Sequence, residues 1–387
     1  MLELLSLDLI KKLVSFDTTS RDSNLALIDH VREYLAGFGV ESQLVHNEDG
    51  RKANLYATLG PKDKAGILLS GHTDVVPVDG QDWKTDPFTP VIKDGKLYGR
   101  GTCDMKSFVG VVLAFVPEFL KRGLKTPIHL AFSYDEEVGC RGVRRLIDVM
   151  NRMPVKPAMC IIGEPSHMEV TIAHKGRRSY DVHVRGFEAH TSLSPTAVNA
   201  IEYAARLIVH LWEMDRRFAK EGPFDDDFDV RHSTVQPALI QGGITYNVVP
   251  KDCRFNFEYR HLPGHDPEAI IGEIKAFARD VLEPEMRKIH PNAGITIEEF
   301  SVIPGLDTRA DEEVVAFVKA LAGRNDHNKV AFGTEAGLFQ KTAGIPTVVC
   351  GPAHIDQAHK PNEFIALDQI AKCETFMRRL ADRVCVK

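Results

Sequence analysis

A chain of 387 residues, 43% hydrophobic and 26% charged, has the composition of an ordinary globular protein with two or three domains. Its net charge of −6, with Lys and Arg dispersed, excludes a basic nucleic-acid footprint and a polybasic membrane patch. No apolar run approaches the ~18 residues of a membrane span, and the seven cysteines are odd in number and free of CxxC pairing, which reads as reduced thiols in a cytoplasmic protein.

The opening residues, MLELLSLDLIKKLVSF, place Glu3 and Asp8 inside the apolar pattern, so they predict an amphipathic helix over 5–16 and not a signal peptide. A second helix is expected over 22–38, carrying Leu25, Leu27, Ile28, Val31, Leu35 and Phe38 and ended by Gly39. Short strands follow at 42–45 and 54–58. The run 66–71 reads as a strand buried on both faces, and it ends abruptly in His72-Thr73-Asp74. A Gly-rich loop, GRGTCDMK, then leads into a helix over 106–122. The strand IHLAFSY (128–134) runs into Asp135-Glu136-Glu137, a helix covers 141–151, and strand 159–162 ends in Gly163-Glu164-Pro165. Acidic residues and a histidine thus collect at strand C-termini, the edge where open α/β sheets place their sites.

The texture then changes. Residues 180–184 alternate as a half-exposed antiparallel strand does. A helix over 196–219, strands near 233–241 and 253–261, a helix over 267–289 and a strand over 295–303 complete a βαββαβ unit. From 311 the α/β texture resumes with a helix to 322, Gly333-Thr334-Glu335, a strand over 347–350, a loop bearing His359 and a helix over 367–384. The expected fold class is therefore α/β. A split catalytic domain, residues 1–175 and 305–387, has a mixed sheet flanked by helices, and an α+β lid-like unit is inserted at 176–304. The acidic run Asp225-Asp226-Asp227 lacks the spacing of a calcium loop and reads as solvated.

Metal chemistry is the reading that unites the polar residues at the strand ends. His72 supplies an imidazole, and Asp74 is a nearby carboxylate able to orient it. Asp104 follows glycines that let backbone approach closely, and its two oxygens can bridge two cations ~3.5–4 Å apart. Glu136 and Glu137 point to opposite sides of an extended chain, so one can ligate metal while the other carries a proton. Glu164 repeats the acidic strand end. His359 offers a second imidazole; His354 lies five residues earlier, and periodicity does not choose between them. Two histidines and four acidic residues, Asp74 apart, suit two zinc ions with nitrogen and oxygen ligands. No serine nucleophile elbow, phosphate loop or dinucleotide fingerprint competes.

In order, SGHTDVVP, GRGTCDMK, DEEVG, GEP, GFEAH, a central Asn-Val-Val-Pro and HKPNE span the chain. With these motifs the chain resembles the M20 family of two-zinc amidohydrolases and metallopeptidases. Segments 333–340 and 351–365 look most like its acetylornithine deacetylase branch; desuccinylases of the family usually carry Ser-Asp where this chain has Glu335-Ala336. The resemblance implies that Asp104 bridges two divalent metals, zinc with cobalt as the alternative. His72 and Glu164 would complete one site, and Glu137 and His359 the other. It implies Glu136 as general base, Asp74 as the group orienting His72, and a cis Asp104-Met105 peptide. It further implies that His190 reaches the active site, that Asn247 and Arg260 contact the substrate carboxylate, and that the inserted unit serves a homodimer. The substrate class implied is a small acylated amino acid, with no nucleic-acid or membrane partner. Relatives often have Gly before the Asn-Ala where this chain has Ala197-Val198-Asn199. Beyond the resemblance, an acidic residue at Glu335 fits a cationic substrate side chain, and it is expected to read one. A catalytically silent binding protein would show a broken ligand set; this one is intact.

Overall fold

The computed structural model describes residues 4–386, so Glu3 of the opening pattern lies outside it. The chain begins with helices α1 (Leu7–Val14) and α2 (Leu25–Ala36), then strands β1 (Ser42–His46), β2 (Ala53–Leu59) and β3 (Ile67–His72). A short hairpin, β4 (Val91–Lys93) and β5 (Lys96–Tyr98), precedes α3 (Lys106–Arg122), β6 (Ile128–Ser133), α4 (Arg141–Met150), β7 (Met159–Pro165) and β8 (Thr171–His174). The insertion comprises β9 (Gly176–Arg185), α5 (Ala200–Glu221), β10 (Thr234–Gly242), β11 (Asp252–His261), α6 (Pro267–Phe277), α7 (Glu283–Ile289) and β12 (Gly294–Ile303). The chain closes with β13 (Leu306–Asp307), α8 (Glu313–Ala322), β14 (Asn328–Val330), α9 (Ala336–Lys341), β15 (Thr347–Gly351), β16 (Phe364–Ala366) and α10 (Leu367–Val384).

These elements form two units. The first comprises residues 1–173, 306–329 and 334–387; the second comprises 174–305 together with 330–333. The segment 330–333, which sequence patterning had left in the α/β unit, packs with the insertion.

In the first unit the main sheet runs β1-β2-β6-β3-β7-β15-β8-β13, with β14 pairing β8. Its centre is parallel, because β3 pairs β6 on one side and β7 on the other in the same direction. Strands β3, β6 and β7 are buried along their whole length, as their unbroken apolar runs require. Helix α3 supplies much of the cover: residues 106–116 and Phe119 are buried. It lies so close under β7 that a Cβ added to Gly163 would stand 2.0 Å from the Phe108 ring. Only glycine permits that approach, and the approach brings the start of α3 beside Glu164.

The second unit is a four-stranded antiparallel sheet, β10-β11-β9-β12, with its helices packed on it. Helix α5 starts where the Asn199 side chain accepts from the N–H groups of Ile201 and Glu202, so the Ala-Val-Asn sequence carries a helix cap. Asp266 caps α6 in the same way, with Pro267 at its first position. A π turn at 278–282 divides the single helix expected over 267–289 into α6 and α7.

Candidate metal centre

Three adjacent strands deliver the first residues of the site. His72 is the last residue of β3 and lies opposite Ser133, the last of β6. Three residues beyond Ser133 the chain reaches Glu136 and Glu137. Glu164 sits near the end of β7, on the other flank of β3. Asp104 comes from the loop before α3, where Gly101 holds a positive φ of 86° and the Asp104–Met105 peptide is cis. His359 comes from a loop 255 positions further on, itself at φ 61°.

Asp104 is the centre of the arrangement. Its Oδ1 lies 2.8 Å from His72 Nε2, and its Oδ2 lies 3.2 Å from His359 Nε2. One carboxylate thus presents a separate oxygen to each imidazole. On the His72 side, Glu164 Oε1 is 3.6 Å away; on the His359 side, Glu137 Oε2 is 3.1 Å away. Ligand atoms of His72, Glu136 and Glu164 lie within 4.8 Å of one another, as do those of His72, Asp104 and Glu137. Glu136 thus stands beside these ligand atoms, and Cys140 Sγ donates to its Oε1 at 3.2 Å.

The electrostatics show a centre with too much buried negative charge. Burial, with Glu137, Glu335 and Asp104 nearby, pushes the Glu136 carboxyl up to about 8 against the pull of His72. Burial and Asp104 push Glu137 up to about 7, and burial and Asp104 raise Glu164 well above the carboxylate range. Hydrogen bonds to Asp104 and Glu137 raise His359 to about 11. Burial opposes a charge on His72, yet Asp104 and Glu164 raise its pKa well above the usual value.

Two divalent cations fit this set. They would replace the protons that the clustered carboxylates otherwise need. Glu137 Oε1, buried and without a hydrogen-bond partner among the described residues, offers a further lone pair toward them. His72 turns its other ring nitrogen, Nδ1, to the backbone oxygen of Asp74 at 2.9 Å, which fixes the tautomer a ligating histidine needs.

The family model for peptidase family M20/M25/M40 matches residues 68–383. The chain belongs to that family. An acetylornithine deacetylase of Myxococcus xanthus is 34% identical over 382 residues, covering 97% of this chain and 96% of its own. Another, of Photorhabdus laumondii, is 34% identical over 373 residues, covering 96% and 93%. Among solved structures, an M20 family metallo-carboxypeptidase of Sulfolobus solfataricus superposes with a TM-score of 0.74 at 19% identity, covering 98% of this chain and 99% of its own. A dinuclear metal-binding peptidase of Bacillus subtilis gives 0.67 at 13% identity, covering 97% of each chain.

In this M20 hydrolase the remaining predicted residues are distributed as follows. The Asp74 carboxylate stands 3.6 Å from His72 Nδ1, further than its own backbone oxygen. Its stronger work is to accept from the N–H of Glu136 at 3.1 Å, the N–H of Glu137 at 3.3 Å and Ser20 Oγ at 2.7 Å. It fixes the segment that carries both glutamates.

Glu335 lies inside the α/β unit. It is 1% exposed, at the start of α9, and accepts from Ser133 Oγ at 2.7 Å. Its carboxylate is turned toward the end of β6, with burial pushing it up to about 7, and it acts on the Glu136 carboxyl nearby.

In the second unit, His190 and Asn247 lie on neighbouring segments. His190 bridges Val248, and the N–H of Thr191 donates to Asn247 O at 3.1 Å. Both side chains are exposed. His190 Nδ1 is engaged by Ser192 at 2.8 Å. Arg260, on β11, donates through Nε to Glu258 at 2.9 Å.

Sequence reasoning passed over Arg100 and Glu363, both 1% exposed and paired at 2.7 Å. Each stood in a quoted motif, GRGTCDMK and HKPNE. The available signal was a charged residue on either side of the bridging aspartate and the terminal histidine.

Proposed function

We propose that the protein removes the acetyl group from N-acetyl-L-ornithine, giving L-ornithine and acetate, as a cytoplasmic step of arginine biosynthesis. The observation that carries the hydrolytic part is the two-sided Asp104, flanked by one imidazole and one glutamate on each side, with Glu136 beside them. The substrate part is supported by the two acetylornithine deacetylases that match nearly the full chain.

His72, Asp104 and Glu164 would hold one ion, and Asp104, Glu137 and His359 the other, with zinc favoured by the nitrogen and carboxylate donors and cobalt as a substitute. When bound, such ions supply an acidified water and polarisation of the acyl oxygen. Glu136, whose raised pKa suits a group that both takes and returns a proton, accepts one from the attacking water and delivers it to the leaving amine. His190 would donate to the developing oxyanion. Arg260 would hold the α-carboxylate through its planar fork, with Asn247 assisting.

The inserted unit has a surface suited to a second copy of this chain. Strand β10 is a sheet edge, with Leu239 and Ile240 exposed on it and Ile244 and Tyr246 exposed in the turn that follows. An open apolar edge of this kind favours pairing, and a homodimer is the reading we adopt.

With Glu335 engaged by Ser133, a second reading is that the protein accepts another acyl amino acid, such as a succinylated diamino acid, or a small peptide. Kinetics on N-acetyl-L-ornithine, N-succinyl-diaminopimelate and acetylated neutral amino acids, measured side by side, decide between them. The deacetylase reading expects the highest kcat/KM for acetylornithine; a preference for either other class overturns it. Chelation should abolish activity, with zinc or cobalt restoring it.

A further inference from the structure

The two halves of the centre are held by different means. His72 and Glu164 stand on strands of the main sheet, and backbone pairing with β6 and β15 places them. His359 has no strand beneath it. Its loop takes left-handed backbone at both His359 and Asn362, and its side chain is 52% exposed.

What ties this loop down is a buried cluster centred on Glu363. One oxygen of that carboxylate, Oε1, accepts from three successive parts of the Asp104 loop: the N–H groups of Gly101 at 3.0 Å, Cys103 at 2.8 Å and Asp104 itself at 3.1 Å. Its other oxygen takes Arg100 Nη1 at 2.7 Å. Arg100 continues to the His359 loop, donating to Lys360 O at 3.3 Å, and to Gln81 Oε1 at 2.5 Å. Gln81 Nε2 then donates to the backbone oxygen of His359 at 3.1 Å. Trp83 closes the cluster: its indole N–H reaches Gln81 at 3.0 Å, and its ring lies 5.1 Å from the Arg100 guanidinium. Segments more than 250 positions apart are thereby fastened within one hydrogen-bond network.

We propose that the Arg100–Glu363 pair, with Gln81, is a positioning device that fastens the His359 loop to the Asp104 loop and so sets the affinity of the Glu137–His359 metal site more strongly than that of the His72–Glu164 site, whose other ligands stand on strands. An anion seated in converging backbone N–H groups fixes the backbone that carries Asp104. The same anion anchors the segment that presents the imidazole. Neither residue belongs to the proposed ligand set; both would act through the two ligands they orient. The pair is also hard to replace singly, because removing one partner leaves the other charge buried and unpaired.

This inference rests on the two-metal reading, and one titration separates the two. Metal-free protein is titrated with Co²⁺, following heat and the visible spectrum. Wild type should take two ions in distinguishable steps; a single ion would sink the two-metal reading itself. In Glu363→Gln, where an amide NH₂ must face the guanidinium, one step should weaken by about 10–100-fold while the other shifts less than about threefold. The spectrum of the retained step should stay that of the wild type. Should Glu363→Gln fail to fold by circular dichroism, Gln81→Ala, which cuts only the link to the His359 backbone, should weaken the same step by about threefold or more, and Gln81→Glu should restore it less well than Gln81→Asn. Equal weakening of both steps, or of neither, in a folded variant overturns the proposal.

Discussion

In the α/β unit, β3, β6 and β7 are buried along their full length, while in the inserted unit β11 alternates and β12 leaves Glu298, Glu299 and Phe300 exposed. The contrast explains where chemistry collects. A strand covered on both faces cannot carry a charge along its middle without a large desolvation cost. Its ionisable residues are therefore displaced to the end, where pairing stops, and several adjacent strands do this at one edge. A half-exposed sheet has no such constraint. Polar residues stand all along its strands, and their positions say little about function.

The largest effect expected from this contrast falls on one residue at such an edge. Glu136→Ala should lower kcat by about 10²–10⁴-fold with two metals still bound, measured by turnover and metal analysis on the same sample. Loss of a metal in step with activity would make Glu136 a ligand and blur its separation from Glu137. In the inserted unit, Phe257→Ala removes a 2% exposed ring stacked on Tyr180. It should cost about 3–5 kcal/mol, read by denaturant unfolding, and leave the Co²⁺ titration unchanged. A weakened metal site would show that the two units are coupled.

Acid should test the buried sheet. Burial pushes His129, on β6 and 4% exposed, down to about 4. Its pKa is thus lowered on folding, so the unfolded chain binds the extra proton between pH ~6.5 and ~4. Stability is fully present above pH ~6.5 and falls as pH drops toward 4, by about 3 kcal/mol from this group. Urea midpoints at pH 7.5 and 5 should converge in His129→Gln; an undiminished difference would transfer the effect elsewhere, His174 of the inserted unit being pushed to about 4 by the same cause. The smallest effect on stability belongs to the exposed edge. Leu239→Asp should change unfolding free energy by less than about 0.5 kcal/mol yet shift sedimentation from dimer to monomer. An unchanged sedimentation coefficient would remove β10 from any interface.

Much of this was legible in sequence because it is local. The apolar run before His72, the acidic ends of β6 and β7, and the switch to alternation at 180 all survive in the structure within a few residues. What escaped had no local pattern. The hairpin β4–β5 is three residues a side and largely exposed, and its partner β16 lies 266 positions beyond it in the chain. Helix α9 has six residues, too few for a periodicity to show. The Ser133 partner of Glu335 likewise has no local signal, since 202 positions separate the two. The Glu363 cluster is invisible to any window, since its partners meet across 260 residues.

The order β6-β3-β7 at the heart of the main sheet sets a scale for the chemistry. Hydrogen-bonded neighbours in a sheet repeat every ~4.8 Å, about twice the ~2.0–2.2 Å length of a zinc–nitrogen or zinc–oxygen bond. His72 and Glu164, near the ends of the adjacent strands β3 and β7, are therefore gauged to share one ion by backbone dimensions common to every sequence. Mutation elsewhere can remodel loops, and with them what is recognised and how His359 is presented, without recalibrating this strand-borne half of the centre. The ruler is the peptide group itself.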